Sequence, residues 1–424
     1  MFSNEGTTKM PRSVSRMGAA AGLLVVFLWL VWTAGRAGFA SLLTAYAARA
    51  NLIASADAAV NLSPGDPEGH LVRGALLEAN NDLSAAISEY QTAASLRPDD
   101  YVLWLSLARA SEINRDSAGA IAAARQAVSL APYYAQPHWQ LGNILVRAGQ
   151  RDEGFKELRL AAASNPVLLP AIVDLAWQLS GGDVQFVKQA IQPQAPAAYQ
   201  ALAENFRKHG KIEDTIAMFG AAGAESRLVR EQYLNDLISA KRFKEAYELW
   251  AIEHAGNSRG GRGVIVDPGF EQESNLDEPG FGWRTENKTA AISLSLDGAT
   301  PREGKSSLGI EFKGDSDSGP PIITQFVLIE PHAHYRLRFA ARAEKLVSGG
   351  PPNLLVIDAG SNNVLGQSGV FPRESQGWRD YTIDFTTADS TAAIRIALRR
   401  ENCSKSPCPI FGRFWLDTFS LQQL

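Results

Sequence analysis

Cysteine is scarce in this chain: its 424 residues include two, Cys403 and Cys408, five positions apart near the C-terminal end. Two thiols with no further Cys or His beside them exclude a structural zinc site, which takes four ligands. Their C-x4-C spacing also differs from the C-x-x-C of redox-active dithiols. The pair therefore predicts a disulfide, as thiols in an oxidising compartment usually form.

Positive charge is not in excess, since 41 Lys and Arg stand against 45 Asp and Glu, for a net charge of −4. This balance gives no basic face for nucleic acid. The chain also lacks a P-loop, a dinucleotide fingerprint, a nucleophile elbow and a zinc-protease signature. Its acidic pairs, in "PDD" and "LDEPG", lie at turns, where Asp binds backbone amides. We therefore expect a protein that is not an enzyme, with a polysaccharide-acting enzyme using two carboxylates as the weakest alternative.

Long hydrophobic runs are also rare, and the one that stands out is "GAAAGLLVVFLWLVWTAG" at 18–35. Eighteen uncharged residues lie at the lower end of what a membrane-spanning helix needs. The basic residues Lys9, Arg12 and Arg16 precede the run, which places the N-terminus in the cytoplasm. The alternative is a cleaved signal peptide with "GFA" before Ser41 as its small-residue site. Both interpretations export the rest of the chain.

The run sets the expected location of the protein. We expect a disordered cytoplasmic tail at 1–17, a single transmembrane helix at 18–35 in a bacterial inner membrane, and the bulk of the chain in the periplasm. The periplasm is oxidising, which agrees with a disulfide between Cys403 and Cys408.

Beyond the run, four prolines recur at a strict interval of 34 residues: Pro64, Pro98, Pro132 and Pro166. Each follows a helical stretch, and proline ends a helix because its nitrogen cannot donate the helical hydrogen bond. Small and large residues recur between these prolines at fixed offsets. They are Gly74, Ala86, Tyr90 and Ala93, then Trp104, Leu107, Ala108, Ala120 and Ala127, then Leu141, Gly142, Gly154, Leu158 and Ala161.

This pattern resembles the tetratricopeptide repeat, in which small residues let the two helices of a hairpin approach closely. The resemblance predicts a helical solenoid over 41–254, with a capping half-unit at 41–64 and an irregular stretch after Pro170, where "GGDVQFVKQAIQP" is short for a second helix.

The resemblance also implies a groove, lined by the first helix of each repeat, that binds peptides or other envelope proteins. The groove positions carried over from the family are Glu78, Arg109, Glu112, Trp139, Asn143 and Arg147. The alternative is a solvated helical face with ion pairs such as Arg109 with Glu112.

After a linker at 255–263 the hydrophobic period changes from 3.6 to 2. In "YRLRFAAR" Tyr335, Leu337 and Phe339 alternate with arginines, and "YTIDFTT" and "AAIRIALRR" repeat the scheme. Strands separated by turn residues, without intervening helices, predict an antiparallel sandwich over 264–424. Eight to ten strands would fit, which is the size of a jelly roll.

The segments "VDPGFEQE", "PREGKSSLGIEF", "GWRDYTIDFTT" and "FWLDTFSL" follow one another in an order that resembles the jelly-roll carbohydrate-binding modules of the galactose-binding-like group. The resemblance implies a structural calcium ion held by Glu271 and Asp417, with backbone carbonyls near Lys305 completing its shell. The alternative is that these carboxylates bind backbone amides at a sheet edge.

A sugar site would combine an aromatic ring with planar hydrogen-bonding groups. The candidates are Trp283, Gln325, Arg338, Trp378 and Arg399. The tryptophans have a competing role, since large aromatic residues more often pack in the core.

The leading hypothesis combines these parts. It is an envelope-anchored scaffold whose solenoid binds partner proteins and whose sandwich contacts glycan, in export or assembly of cell-surface polysaccharide as the combination of modules implies. The second hypothesis is a pure protein scaffold with a sandwich that binds no sugar.

Overall fold

The computed structural model describes residues 12–254, 261–272, 276–286, 289–315, 319–403 and 408–424. Within them an all-α part is followed by an all-β sandwich, as the sequence predicts. The chain forms two compact units, 1–192 and 193–424. Most of the expected tail, 1–11, and of the expected linker, 255–260, lies outside the described residues.

The first helix, α1 (Arg12–Ala50), is continuous through the predicted membrane segment and starts before it. It contains one candidate span, from Gly22 onward, whose apolar side chains are almost all exposed. Its last third differs, because Ala40, Thr44 and Ala47 are buried. Together with α2 (Ile53–Leu62) this end of α1 forms a hairpin where the sequence predicts a capping half-unit.

Three regular helical hairpins follow at the 34-residue period. They are α3 (Pro67–Ala79) with α4 (Leu83–Leu96), α5 (Tyr101–Ile113) with α6 (Ser117–Leu130), and α7 (Ala135–Arg147) with α8 (Arg151–Ser164). Asp82 and Asp116 cap their second helices by accepting a backbone N–H. The turn between paired helices has a left-handed residue at Asn81, Arg115 and Gly149, again 34 apart. The period therefore repeats backbone geometry as well as composition.

Small residues bring the paired helices together. A methyl group on Gly74 would lie 2.8 Å from the Tyr90 ring, and one on Gly142 would lie 2.7 Å from Leu158 Cγ. The sequence predicted this role for both glycines, and close helix packing confirms it.

After the third hairpin the array becomes irregular, as predicted. A 3-10 turn at Pro166–Leu168 precedes α9 (Leu169–Ser180), and α10 (Val184–Ile191) has eight residues, against 14 in the second helices of the regular hairpins. The left-handed glycines Gly181 and Gly182 end α9.

The second compact unit begins with four more helices: α11 (Pro196–Lys208), α12 (Ile212–Ala222), α13 (Arg227–Ser239) and α14 (Phe243–His254). They share a hydrophobic core with the β-part of the same unit. The Phe243 ring lies 6.0 Å from Phe326, and Tyr247 meets Phe281 edge-on at 5.1 Å. The units thus divide at 192, ahead of the expected domain boundary after 254.

Two five-stranded antiparallel sheets form the sandwich in the described part of the chain. Sheet A has the order β1 (Arg284–Thr285), β4 (Ile323–Leu328), β9 (Ala393–Arg400), β6 (Pro352–Asp358), β7 (Val364–Gln367). Sheet B has the order β2 (Ile292–Asp297), β3 (Ser307–Asp315), β10 (Pro409–Gln423), β5 (His334–Ser348), β8 (Arg379–Thr386).

Alternation decides which side chains enter the space between the sheets. Leu337 and Phe339 of β5 point inward, as predicted, together with Ile396 of β9 and Phe414 of β10. The opposite face of sheet A is also covered, since Phe326 and Leu328 pack against the helical core of this unit. The opposite face of sheet B carries charged side chains such as Arg336 and Asp384, together with Trp415.

Cys403 and Cys408 form the predicted disulfide, with Cα atoms 5.9 Å apart. The buried Arg400 guanidinium donates a hydrogen bond of 2.7 Å to the Cys408 carbonyl and one of 3.2 Å to the Gly350 carbonyl. Both contacts tie the disulfide to the end of β9 and to the chain before β6.

Candidate functional site

The first helices of the repeats carry a line of ion pairs between neighbouring hairpins. Arg109 of α5 binds Glu78 of α3, and Arg147 of α7 binds Glu112 of α5. The pair suggested by sequence alone, Arg109 with Glu112, is therefore wrong, because each arginine reaches back to the preceding repeat. The Tyr90 hydroxyl donates 2.9 Å to Glu78, and burial together with this carboxylate raises the pKa of Tyr90.

The two partners of each pair differ in exposure. Glu78 is 9% exposed and Glu112 26%, whereas Arg109 and Arg147 are 52% and 59% exposed. In each pair the carboxylate is the more buried partner and the guanidinium group the more exposed one. This face of the array therefore presents positive charge to a partner, although each pair is neutral in sum.

The two other predicted groove residues lie on α7. Trp139 and Asn143 are half-buried, and the Asn143 amide donates 2.8 Å to the Trp139 carbonyl. Val102 and Ile113 of α5, which the sequence did not single out, are 43% and 50% exposed. Their helical spacing from Arg109 could have indicated them.

The sandwich has a groove of about 980 Å³ beside the outer face of sheet B. Its lining includes Arg302, Arg338, Asp380 and Thr382 with the predicted ion ligands Glu271 and Asp417. Arg302 donates 3.1 Å to Asp380 across one wall. The lining is thus mainly polar.

Backbone amides surround both carboxylates at the base of this groove. Asp417 is wholly buried and accepts N–H groups from Arg302 and Thr418, each at 2.7 Å. Glu271 accepts the Lys305 N–H with both oxygens, at 3.0 and 2.9 Å. Burial raises the pKa of Asp417, although the hydrogen bonds from the backbone act to lower it. The charge of nearby Glu271 raises this pKa further.

These contacts favour backbone amides over calcium as the partners of the two carboxylates. The oxygens of Glu271 and Asp417 already accept backbone N–H groups, whose positive ends would face a cation. Within the described residues no cluster of three His, Cys, Asp or Glu side chains could hold a metal ion. The arrangement is the alternative weighed from the sequence, carboxylates bound to amides at a sheet edge, and calcium stays an untested expectation.

Two of the predicted sugar-binding residues lie inside the sandwich, and the structure corrects them. Trp283 is 2% exposed, packs 4.8 Å from the Phe419 ring and donates to the Asp267 carbonyl. Gln325 is 0% exposed and donates 2.8 Å to the Val266 carbonyl. Neither can reach a ligand, because Gln325 lies on the inward face of β4 with Ile323 and Val327, and Trp283 packs into the same core ahead of β1.

The other three candidates are accessible but are not brought together. Arg338 is exposed and lines the groove, and Trp378 is half-buried with its indole N–H donating 3.0 Å to the Thr300 carbonyl. Arg399 is half-buried on sheet A, the other sheet. Arg338 alone of the five candidates therefore lines the groove.

One outward aromatic residue was not predicted as a site. Trp415 lies on the outer face of sheet B but is only 6% exposed, because the Arg342 guanidinium covers its ring at 4.7 Å. Its N–H donates a hydrogen bond of 2.8 Å to Asp297. A backbone amide and this indole lower the pKa of Asp297. The signal was in "RFWLD", because inward Phe414 and Leu416 force Trp415 outward.

Comparison with known proteins finds no family profile and no curated protein that matches the chain. Solved structures resemble parts of it. MamA 41-end from Desulfovibrio magneticus RS-1 has 16% identity and a TM-score of 0.34, over 41% of this chain and 96% of that one. YrrB, a TPR protein with an unusual peptide-binding site, has 17% identity and a TM-score of 0.31, over 39% and 89%. A CBM4 structure has 12% identity and a TM-score of 0.27, over 38% and 100%.

Proposed function

We propose that this protein is a non-enzymatic scaffold, held in a bacterial inner membrane by α1, whose repeat array binds partner proteins of the envelope on its periplasmic side. The observation that carries the proposal is the continuity of α1. One helix holds an exposed apolar segment from Gly22 and, at its other end, the buried contacts of the first hairpin. The array is therefore joined to the apolar segment without an intervening linker.

The face with Arg109 and Arg147 is the proposed binding surface. Its outward guanidinium groups and the exposed Val102 and Ile113 suit an extended segment with acidic and apolar side chains. Arg125 offers a matched control, since it is 53% exposed and also binds a carboxylate of the next repeat, that of Glu153, but from a second helix.

The test uses the full-length protein as bait in solubilised envelope membranes. Proteins captured by the wild type should be lost with Arg109→Gln/Arg147→Gln and retained with Arg125→Gln. Equal capture by all three would reject this surface. If the exported protein is found to lack α1, or to be cleaved before Ser41, anchoring by α1 is rejected whatever the capture experiment shows.

A second candidate function, contact with glycan, is favoured by the groove beside sheet B. Its size admits several sugar rings, and Arg338 with Asp380 and Thr382 supplies hydrogen-bonding groups. Arg336, on the same strand and face as Arg338, is a control. It lies outside the groove, and two hydrogen bonds of 2.7 Å engage its guanidinium group with Asp384.

A glycan array probed with the full-length protein tests this candidate. Binding that Arg338→Ala abolishes and Arg336→Ala leaves intact would support it. An array without signal would favour the pure scaffold. An enzymatic role has less support, since Asp417 is buried and engaged by amides and so is not positioned to transfer a proton to a substrate.

A further inference from the structure

The first helices of the repeats run parallel to the end of α1. Near their N-termini, a methyl group on Gly69 of α3 would lie 3.7 Å from Thr44 Oγ1. Further along, Ala47 packs with Leu76. The same alignment holds between α5 and α7, where the rings of Tyr101 and Tyr134 stack at 5.7 Å. All these helices therefore begin at one end of the array, the end at which α1 enters.

The position of this end relative to the apolar segment follows from helix geometry. Since Gly69 is level with Thr44, the loop 63–66 before α3 is level with residues 38–41 of α1. The segment predicted to span the membrane ends at Gly35, three to six residues earlier, which is about 5–9 Å along a helix. The headgroup region on each side of a bilayer is roughly 5–8 Å deep. With α1 across a bilayer, the loop 63–66 at this end of the array therefore lies at the height of the lipid headgroups.

The loops at this end change from polar to apolar along the array. The first two read "SPGD" and "RPDD", and the next two read "APYY" and "NPVL". Tyr133 is 88% exposed, Tyr134 60% and Val167 83%. Tyr133 and Val167 occupy equivalent positions of successive repeats. At the opposite end the corresponding turns are "NND", "NRD" and "AGQ", all exposed.

We propose that Tyr133, Tyr134 and Val167, the apolar edge of the array, insert into the headgroup region of the bilayer that α1 spans. Tyrosine favours this region because its ring is apolar and its hydroxyl is polar. The edge lies two and three repeats away from α1, so it supplies a second point of attachment and fixes the inclination of the array. The inference rests on the proposed anchoring by α1.

Spin labels on the full-length protein in phosphatidylethanolamine and phosphatidylglycerol vesicles test the inference. The native cysteines are joined, so single labels can be attached at Tyr133→Cys, Val167→Cys, Asn114→Cys and Phe27→Cys. Asn114 lies in a turn at the opposite end and is the matched exposed control. Phe27 lies within the apolar segment and reports on the anchor. The measurement is the collision rate of each label with oxygen, which enters lipid, and with a water-soluble nickel chelate.

Labels at 133 and 167 should collide severalfold less with nickel than the label at 114, and more with oxygen. If the labels at 133 and 167 collide with nickel as often as the label at 114 while the label at 27 is protected, insertion of the apolar edge is rejected and anchoring by α1 stands. Low collision with both probes would indicate burial against protein, such as a second copy, and would also overturn it. A nickel-accessible or cleaved position 27 would reject the anchor and the inference that rests on it.

The double variant Tyr133→Ser/Val167→Ser provides an independent test of insertion. Both side chains are more than four-fifths exposed, so the hairpins keep their packing. In this background a label at Tyr134→Cys should regain nickel collision to the level at 114. Unchanged protection there would contradict insertion of the edge.

Discussion

Asp417 shows how one buried carboxylate organises the base of the groove in the sandwich. It accepts N–H groups from Arg302, in the segment between β2 and β3, and from Thr418, the next residue of β10. Thr418 itself has a left-handed backbone, as do Phe270 and Gly304 nearby. Where the chain turns in this way, backbone N–H groups approach from several directions, and the two oxygens of a carboxylate can accept all of them.

The raised pKa of Asp417 gives a pH dependence. The native state binds this proton more tightly than the unfolded chain, whose carboxyl titrates near 3.8. The stability that Asp417 contributes is therefore complete below that pH and falls as the pH rises through the native pKa. The advantage of wild type over Asp417→Asn should shrink from about pH 4 upward, and at low pH it should be about 1–3 kcal/mol because Asn leaves a buried N–H unpaired.

Hydrogen exchange of the β10 amides, corrected for intrinsic rates, measures this difference. An advantage that grows with pH would contradict the assigned direction.

The amides around Glu271 and Asp417 predict that calcium does not stabilise the sandwich. Adding a chelator should leave the melting temperature of the full-length protein unchanged, because both carboxylates already accept backbone N–H groups. Differential scanning fluorimetry with calcium, with magnesium and with chelator makes the measurement. A rise in melting temperature with calcium alone, abolished by Glu271→Gln, would show that the sandwich binds a calcium ion at these carboxylates.

Single residues were predictable where alternation fixes their direction. The inward Leu337 and Phe339 followed from the pattern of β5, and the same logic applied to "RFWLD" would have placed Trp415 outside. The direction of Trp283 was not readable, because it precedes a strand of two residues and no alternation leads into it. Its burial depends on contacts with the distant Phe419.

At the scale of the helical hairpin, the small residues set how closely two helices pack. Gly142→Ala would place a methyl 2.7 Å from Leu158 Cγ and 2.9 Å from the Gly154 carbonyl. We expect a loss of stability, since overpacking costs about 1–3 kcal/mol against a gain of about 1 kcal/mol in helix propensity. Gly220→Ala in α12 is the control, because Ile252 there is 3.8 Å away.

Gly220→Ala should leave stability unchanged or raise it by up to about 1 kcal/mol. Urea unfolding followed by far-ultraviolet circular dichroism compares the two variants. A stabilised Gly142→Ala would show that the hairpin can relax and that the small residue is not required.

The disulfide acts on the segment between β9 and β10. Its loop is short, so the chain-entropy estimate for removing the bond is about 2 kcal/mol. Cys403→Ser/Cys408→Ser should therefore weaken protection of amides at the start of β10 while the helical hairpins keep theirs. Hydrogen exchange resolves the two regions, and equal loss in both would contradict a local role.

Helices and strands were the best predicted level. The 34-residue period fixes both the hairpins and their left-handed turns, because each repeat meets the same neighbours as the one before. Pairing between repeats was not predictable in the same way. Arg109 binds Glu78, 31 residues away, in preference to Glu112 on its own helix, and only the stacking of α5 on α3 brings those charges together.

At the scale of the whole chain, the helices α11–α14 belong with the sandwich. Phe281, Phe326 and Leu328 lie in their shared core. Exposing such side chains costs about 1.5–3 kcal/mol each. A fragment 264–424 should therefore aggregate or melt well below a fragment 193–424, which retains the helices.

Size-exclusion chromatography and thermal unfolding compare the two fragments. Phe326→Ser/Leu328→Ser in the shorter fragment should recover solubility. A monomeric 264–424 fragment with the stability of the longer one would show that the helices do not complete this core.

The sequence by itself determined the apolar helix, the repeat with its close hairpins, the change to β-strands and the disulfide, because these follow from local composition and from periods of 3.6, 2 and 34 residues. Tertiary structure alone decided which carboxylate each arginine meets, that Trp283 is buried against the distant Phe419, and that the last helices share a core with sheet A. These outcomes depend on contacts between segments far apart in the chain, where a pairing is settled by packing and by the burial of polar groups, and no local pattern records them.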